Sequence, residues 1–310
     1  MRSRLDPLTI AAITVAIIAV SSSGPLIAYA AAPALAIAFW RNALAVGVLA
    51  PVTLTRRRAE LRGLRTDHAW RWSVLAGLAL AGHFATWVPS VKMTTVATAT
   101  ALVATQPVWA GLIALWQGRR LGRWTWIGIG TAVVGAAIAT GADFTRGGTA
   151  FVGDLLAVAG GLLAAVYTSL GEKARSRTST TTYTTVCYSV CAVVLLAVCL
   201  LFGVELTGFD DRTWLAIIAL TAGAQLLGHS MFNYALHKVS ATTISVLILL
   251  EVPGAAVLGW LWLGQTPPTA AWPGIALLMA GVAAVILGAR RPAALPTPDP
   301  VDIALPTGDR

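Results

Sequence analysis

The sequence predicts an all-α integral membrane protein of ten transmembrane helices, built as two inverted repeats of five helices each. Three observations lead to this prediction. The 310 residues are 57% hydrophobic and only 11% charged, with a mean hydropathy of +0.75, which no ordinary soluble domain shows. The apolar runs are about 20 residues long, enough to cross a bilayer as a helix. Finally, the two halves of the chain repeat one pattern.

The internal repeat relates residues 83–141 to residues 229–287 at a constant offset of 146, without a gap. The two copies share residues of several types: His83 with His229, Lys92 with Lys238, Pro107 with Pro253, Trp116 with Trp262, Gly118 with Gly264, Trp126 with Trp272, Gly128 with Gly274 and Gly135 with Gly281. Both copies are strongly apolar. Duplicated apolar halves are typical of membrane transporters, whose substrate site lies between the repeats.

Each apolar run must satisfy its own backbone hydrogen bonds inside the bilayer, so we expect helices. The alternation of apolar and polar residues that a membrane β-barrel requires is absent. The first repeat should cover residues 8–141 and the second residues 153–288. The tail 289–310 lacks a hydrophobic period and is expected to be disordered. The predicted spans are residues 8–29, 34–54, 71–90, 94–116, 123–141, 153–171, 182–203, 213–235, 239–262 and 270–288.

The basic residues predict the orientation of these spans. If the N-terminus is cytoplasmic, nearly all Lys and Arg residues fall in inside segments, and the outside segments hold only Lys92, Arg146 and Arg212. The positive-inside rule therefore places both termini in the cytoplasm. It also accounts for the net charge of +9 without a nucleic-acid partner. Five spans per half start the second half from the opposite face, which makes the repeats inverted.

Several short motifs occur in a fixed order along both halves. The first half contains Phe39-Trp40-Arg41, Thr105-Gln106-Pro107, Trp116-Gln117-Gly118, Gly128 and Gly135, and the second contains Gly153-Asp154-Leu155-Leu156-Ala157, Tyr167, Glu172-Lys173, Leu250-Glu251-Val252-Pro253, Leu263-Gly264, Gly274 and Gly281. Over residues 8–288 these motifs resemble the drug/metabolite transporter superfamily, specifically its EamA-like family. That family commonly has Gly-Glu after the fourth and ninth spans. Gly118-Arg119 and Gly264-Gln265 depart from this pattern, which puts a loop-level salt bridge there in doubt.

The resemblance implies a secondary active transporter in the bacterial plasma (inner) membrane. It implies export of small amphipathic metabolites, amino acids or drugs by alternating access, with candidate proton coupling. An uptake permease or an exchanger of the same fold is the main alternative. An intramembrane enzyme is a distant alternative, because it would need paired ionisable groups, for which only Glu251 with His83 or His229 qualifies.

The expected partners are a small-molecule substrate and the lipid bilayer, and the chain is expected to be a monomer or homodimer that binds no nucleic acid. No phosphate-binding loop is present, so the energy must come from a gradient or from the substrate itself. No cofactor is expected. Histidines at metal-ligand spacing are absent, and the three cysteines fall in one span, so no metal site is expected either.

Glu251 is the one carboxylate predicted inside a span, where a charge costs about 2.5–3.5 kcal/mol. It is either a cavity group that binds a proton or a substrate amine, or a structural partner that caps a helix break before Pro253. Pro107 and Pro253 each remove a backbone hydrogen bond within a span. Equivalent breaks in two repeats point to the binding region, although a simple packing kink is the alternative.

His83 and His229 are equivalent candidates for proton carriers, and hydrogen bonding within the bundle is their alternative role. Arg41, near the outer end of the second span, is expected to reach the membrane interface, and binding of a substrate carboxylate is its alternative role. Glycines repeat every seven residues at Gly128 and Gly135 and again from Gly274, which predicts a close-packed face toward the fifth span or a second protomer. The remaining candidates for the cavity wall are Gln106, Trp87, Asn233, Tyr234, Tyr167 and Gln225.

Overall fold

The computed structural model describes residues 6–64, 70–94, 96–140, 148–264 and 271–288. This part of the chain contains helices and no strand. Seven of its helical segments are long and apolar enough to cross a membrane, so the all-α membrane class is confirmed. They are Pro7–Tyr29, Ala34–Arg56, Trp70–Met93, Thr149–Arg175, Thr180–Leu201, Asp211–Ala235 and Ala241–Trp262. The predicted disordered tail, Arg146 and Gln265 lie outside the described residues.

Fifteen α-helices are described in this part of the chain, together with one π-helix between α11 and α12, which we call the π segment. Several predicted spans are divided into two or more shorter helices. The bounds are α1 Pro7–Ser21, α2 Ser23–Tyr29, α3 Ala34–Arg56, α4 Arg58–Gly63, α5 Trp70–Met93, α6 Val96–Val103, α7 Gln106–Trp116, α8 Arg123–Thr140, α9 Thr149–Arg175, α10 Thr180–Leu201, α11 Asp211–Leu220, π segment Thr221–His229, α12 Ser230–Ala235, α13 Ala241–Ile248, α14 Glu251–Leu263 and α15 Ala271–Gly288.

The predicted fourth and ninth spans are each divided into two helices. The breaks fall at residues 104–105, between α6 and α7, and at residues 249–250, between α13 and α14. These positions match in the two halves to within one residue. Pro107 is the second residue of α7 and Pro253 the third residue of α14. Proline is tolerated in a first turn because the N–H groups there have no intrahelical partner.

Helices of the first half pack mainly against helices of the second half. Helix α5 lies along α9, α3 along α10 and α8 along α15, while α1 lies along the π segment and α12. The largest buried cluster forms where α3 and α5 meet α9 and α10, and it includes Ile37, Leu80, Phe84, Tyr183 and Tyr188. The α8–α15 pair and the α1–α12 pair each have a smaller cluster of their own. Both halves contribute to all three clusters.

The glycine stripe brings α8 and α15 into backbone contact. A Cβ atom at Gly128 would lie 2.7 Å from the carbonyl oxygen of Gly281, and one at Gly135 would lie 2.7 Å from the carbonyl oxygen of Gly274. Real Cβ atoms do not approach backbone so closely, so only glycine fits at these positions. The predicted packing face is thus used between the fifth and tenth predicted spans.

Candidate functional site

A cavity with about 780 Å³ of empty space, its open part included, lies between the two halves. Both halves supply its walls. Its polar and aromatic lining residues are Ser23, His83, Trp87, Thr100 and Gln106 from the first half, and Tyr167, Thr168, His229, Phe232, Asn233, Ser245 and Glu251 from the second.

The helix breaks lie in the cavity wall. Val103, Ala104 and Gln106 line the cavity from the first break, and Leu249 and Glu251 line it from the second. At the breaks the helices tighten, so that the Thr105 N–H donates to the Leu102 carbonyl at 3.2 Å and the Leu250 N–H to the Leu247 carbonyl at 3.1 Å. Such breaks are tolerated at membrane depth where they line a cavity.

Glu251 is the first residue of α14 and is only 9% exposed. A helix N-terminus stabilises a negative charge because the first N–H groups are free and the helix dipole is positive there. The side chain accepts no hydrogen bond from any described residue. It is also the only carboxylate among the described residues that line the cavity. The wall thus presents one carboxyl group that is open to a ligand.

Arg41 is fully buried, so the prediction that it reaches the membrane interface is wrong. Its Nε donates to Gln225 Oε1 at 2.8 Å, and its Nη1 lies 3.5 Å from Ser23 Oγ. The guanidinium group lies 4.2 Å from the centre of the Phe84 ring. These partners hold the side chain inside the bundle, where its charge acts on Glu251. Arg41 stands behind the wall and is not itself a lining residue.

Aromatic and imidazole rings form one side of the cavity. His83 stacks on Trp87 with 5.8 Å between ring centres and 8° between ring planes. His229 lies 6.4 Å from His83 and 6.0 Å from Tyr167, measured between ring centres. Because a carbonyl only accepts, Nδ1 of His83 must donate in its 2.9 Å hydrogen bond to the carbonyl of Gly160.

The indole N–H of Trp87 is buried and finds no acceptor among the described residues. A buried donor without a partner is costly, and here it belongs to a residue of the cavity wall. A bound solute with an oxygen acceptor would satisfy it. Trp87 therefore combines an apolar ring with a free donor, which suits an amphipathic solute.

Amide side chains connect helices of the cavity wall, and Gln106 does so between the two halves. Gln106 Nε2 donates to Ser245 Oγ at 3.0 Å and to Thr168 Oγ1 at 3.2 Å, so it joins α7 to α13 and α9. Asn233 Nδ2 donates to the Tyr167 hydroxyl at 2.7 Å. These bonds fix the positions of the polar groups, and they depend on helices from different parts of the chain.

The structure does not bring every candidate to the cavity. Tyr234 is half-buried and does not line it, and Gln225 stands behind the wall beside Arg41. Asp154 lies in α9 and is also 9% exposed, so Glu251 is not the only buried carboxylate in the described helices. Sequence reasoning missed the lining residues Ser23 and Thr168, because isolated hydroxyl residues occur throughout membrane helices.

Two stretches of the chain, residues 7–141 and 151–287, match the EamA-like transporter family. The chain belongs to this family. It is 26% identical to an uncharacterized transporter of Archaeoglobus fulgidus over 228 residues, which make up 71% of this chain and 78% of that protein. A solved crystal structure, described only as that of a protein, covers 93% of this chain and all of its own, with a TM-score of 0.72 at 20% identity. That second likeness shows the fold alone.

This EamA-like transporter has a salt bridge where the departure from the Gly-Glu motif put one in doubt. Arg119 Nη1 lies 2.8 Å from Glu172 Oε1, so a cation after α7 meets a carboxylate at the end of α9. The second oxygen of Glu172 accepts from the Ala241 N–H, at the start of α13, at 3.2 Å. The position that commonly holds glutamate in the family thus holds Arg119 here, and its positive charge pairs with Glu172.

A second ion pair lies at the same ends of the helices. Lys238 Nζ lies 2.6 Å from Asp6 Oδ2, and Asp6 also accepts from the hydroxyl and the N–H of Thr9. The hydrogen bond from Lys238, followed by those from Thr9, holds the pKa of Asp6 well below its usual range, and the same bond raises the pKa of Lys238. This pair connects the start of α1 to the segment before α13.

Proposed function

We propose that this EamA-like transporter is a secondary active exporter of small amphipathic metabolites, amino acids or drugs in the bacterial inner membrane. The observation that carries the proposal is the cavity between the halves, with a helix break from each half and one carboxylate in its wall. Substrate sites of secondary transporters are formed at broken helices between repeats. The apolar and aromatic lining, with few polar groups, suits an amphipathic solute.

Two equivalent halves give alternating access a simple physical basis, and we propose that these are inverted five-helix repeats, residues 8–141 and 153–288. Helix pairing supports this proposal. Exchange of the halves converts the α5–α9 pair into the pair of α1 with the π segment and α12, and it leaves the α3–α10 and α8–α15 pairs unchanged. The ten spans then comprise the seven long segments together with α6–α7, α8 and α15, and both termini are cytoplasmic by the distribution of basic residues.

Coupling is assigned in this proposal to Glu251, with His83 and His229 as further proton carriers. When Glu251 is ionised, the positive charge of Arg41 stabilises it. When it binds a proton or a substrate amine, the pair carries one net positive charge, which is unfavourable in a low-dielectric interior. A proton and a cationic group of the substrate therefore compete for the carboxylate of Glu251. Because only one of them binds at a time, the transporter exchanges the proton for the substrate across the membrane.

The experiment that tests the proposal compares Glu251→Gln with wild type in bacteria that lack their own exporters. Cells are challenged with toxic amino-acid analogues, cationic drugs and common metabolites at matched membrane expression. Glu205→Gln is the matched control, because it makes the same chemical change at an exposed loop residue. We expect wild type and Glu205→Gln to protect the cells and to secrete the compound, and Glu251→Gln to do neither.

The outcomes separate the parts of the proposal. Protection that is equal in Glu251→Gln and wild type removes Glu251 from the mechanism and leaves the exporter. An uptake permease would instead make the cells more sensitive to the toxic analogues. Protection by neither wild type nor Glu205→Gln against any compound contradicts export, and uptake into proteoliposomes with an imposed proton gradient then tests the reverse direction.

A further inference from the structure

The two halves differ at one helix that their shared pattern would make identical. Thr221–His229 forms nine residues of π-helix within the span Asp211–Ala235. At the offset of 146, the equivalent residues of the first half are 75–83, which lie in the uninterrupted α-helix α5. A π-helix is rare, and it occurs frequently at functional sites. Something particular to the second half must therefore stabilise it.

Gln225, in the middle of the π segment, provides that difference. Its Oε1 accepts from Arg41 Nε at 2.8 Å and its Nε2 donates to Asn42 Oδ1 at 3.1 Å, so it is held by two neighbouring residues of α3. Its backbone carbonyl accepts the N–H of Ser230, five residues later, in the π pattern. The residue equivalent to Gln225 in α5 is Ala79, which has no polar side chain. The side-chain bonds to α3 therefore exist only where the helix is π-helical.

The π segment determines which face of α12 meets the cavity. His229, Phe232, Asn233 and Leu236 follow its centre and line the cavity, while Ile217 and Leu220 before it are buried in the core. Each residue of an α-helix adds about 100° of rotation, so a helix with one residue more or fewer per turn presents a different face beyond that point. An unbroken α-helix would turn His229 and Asn233 away from the cavity if α11 kept its packing.

We infer that Arg41 is a positioning residue of this transporter, which acts through Gln225 to stabilise the π segment and so to turn His229 and Asn233 into the cavity. The inference rests on the proposed function, because it concerns the same cavity. The inference distinguishes a positioning role for Arg41 from a role as counter-ion of Glu251. If Arg41 acted only as a counter-ion, it would not affect which face α12 presents to the cavity.

Thiol accessibility along α12 tests this inference. In a chain with Cys187→Ala, Cys191→Ala and Cys199→Ala, single cysteines are introduced in turn at positions 229–234, and each is labelled with a water-soluble maleimide in membranes. We expect labelling at positions 229, 232 and 233 and protection at 230 and 231 in this background. Gln225→Ala, which gives the second half the residue of the first, should shift this pattern by one position.

Two further variants identify the bond that matters. Gln225→Glu keeps an acceptor for Arg41 and should preserve the labelling pattern. Arg41→Met should shift the pattern as Gln225→Ala does, and the double variant should shift it no further. If Arg41→Met fails to insert into the membrane, the comparison of Gln225→Ala with Gln225→Glu still decides. The same labelling pattern in Gln225→Ala and in the parent chain would overturn the inference.

Labelling does not depend on transport, so the two proposals fail separately. A shifted pattern in a protein that transports no compound contradicts the proposed function and leaves the positioning role of Arg41 intact. An unshifted pattern in a protein that exports its substrate contradicts the positioning role alone.

Discussion

Replacement of Gly135 by alanine provides a direct test of the contact between α8 and α15. The added Cβ would lie 2.7 Å from the Gly274 carbonyl oxygen and 2.8 Å from the Leu278 Cα, and it would come closer still to the Leu278 nitrogen. All three are backbone atoms of α15, so no side chain can move to make room. The helices must separate, and overpacking of this kind costs about 1–3 kcal/mol.

Gly130→Ala is the matched control, because Gly130 lies on the same helix and a Cβ there meets nothing within 4 Å. Both variants gain the same helix propensity, about 0.5–1 kcal/mol, so this gain cancels in their difference. We therefore expect Gly135→Ala to be less stable than Gly130→Ala by about 1–3 kcal/mol. Thermal unfolding in one detergent, followed by tryptophan fluorescence, measures the difference. Equal midpoints for the two variants would refute the packing argument.

Two other predictions concern the ion pairs at the helix ends. Arg119→Glu restores the family's usual residue but places it beside Glu172, so we expect slower transport, and exchange of the two charges in Arg119→Glu with Glu172→Arg should restore it. A double variant as slow as the single one would exclude the ion pair. Because the pKa of Asp6 is lowered and that of Lys238 is raised, both groups are charged at neutral pH. The stability difference between wild type and Asp6→Asn should stay constant from about pH 5 to pH 9. At lower pH the difference should decrease as the pH drops through the lowered pKa of Asp6, and at higher pH it should decrease as the pH rises through the raised pKa of Lys238. Unfolding measured at several pH values checks this. A decrease already at about pH 6 would contradict it.

Local sequence determined much of the fold. Hydropathy and length identified the long helices to within a few residues at each end, as in α3 and α10, because a span must contain enough apolar residues to cross the bilayer. The repeat identified matched prolines, and the helix breaks occur just before them. These features depend on residues that are close in sequence, so an isolated segment carries the information.

The polar interior was harder to predict because it depends on pairs that are distant in sequence. Arg41 lies only seven residues after the start of α3, and a depth argument therefore placed it at the interface. Inside the bundle it contacts Gln225, which is 184 residues away in the chain. Neither residue signals the other in a hydropathy pattern.

The choice between Asn233 and Tyr234 shows the same effect at the cavity. Neighbouring residues of an α-helix point about 100° apart, so an error of one residue decides whether a side chain faces the cavity. A helical wheel drawn through the span Asp211–Ala235 assumes α-helical geometry throughout. The π segment changes the rotation before α12, and the wheel cannot assign the lining face beyond it.

The helices are duplicated in the two halves, but the polar and charged residues around the cavity are not. At the offset of 146, α3 and α10 begin at equivalent residues, and Arg41 corresponds to Cys187. Gln225 likewise corresponds to Ala79, and Glu251 corresponds to Thr105. Two carboxylates in one small cavity would repel each other, and two buried arginines would each need a partner. The described helices thus repeat between the halves, while Arg41, Gln225 and Glu251 each occur in one half only.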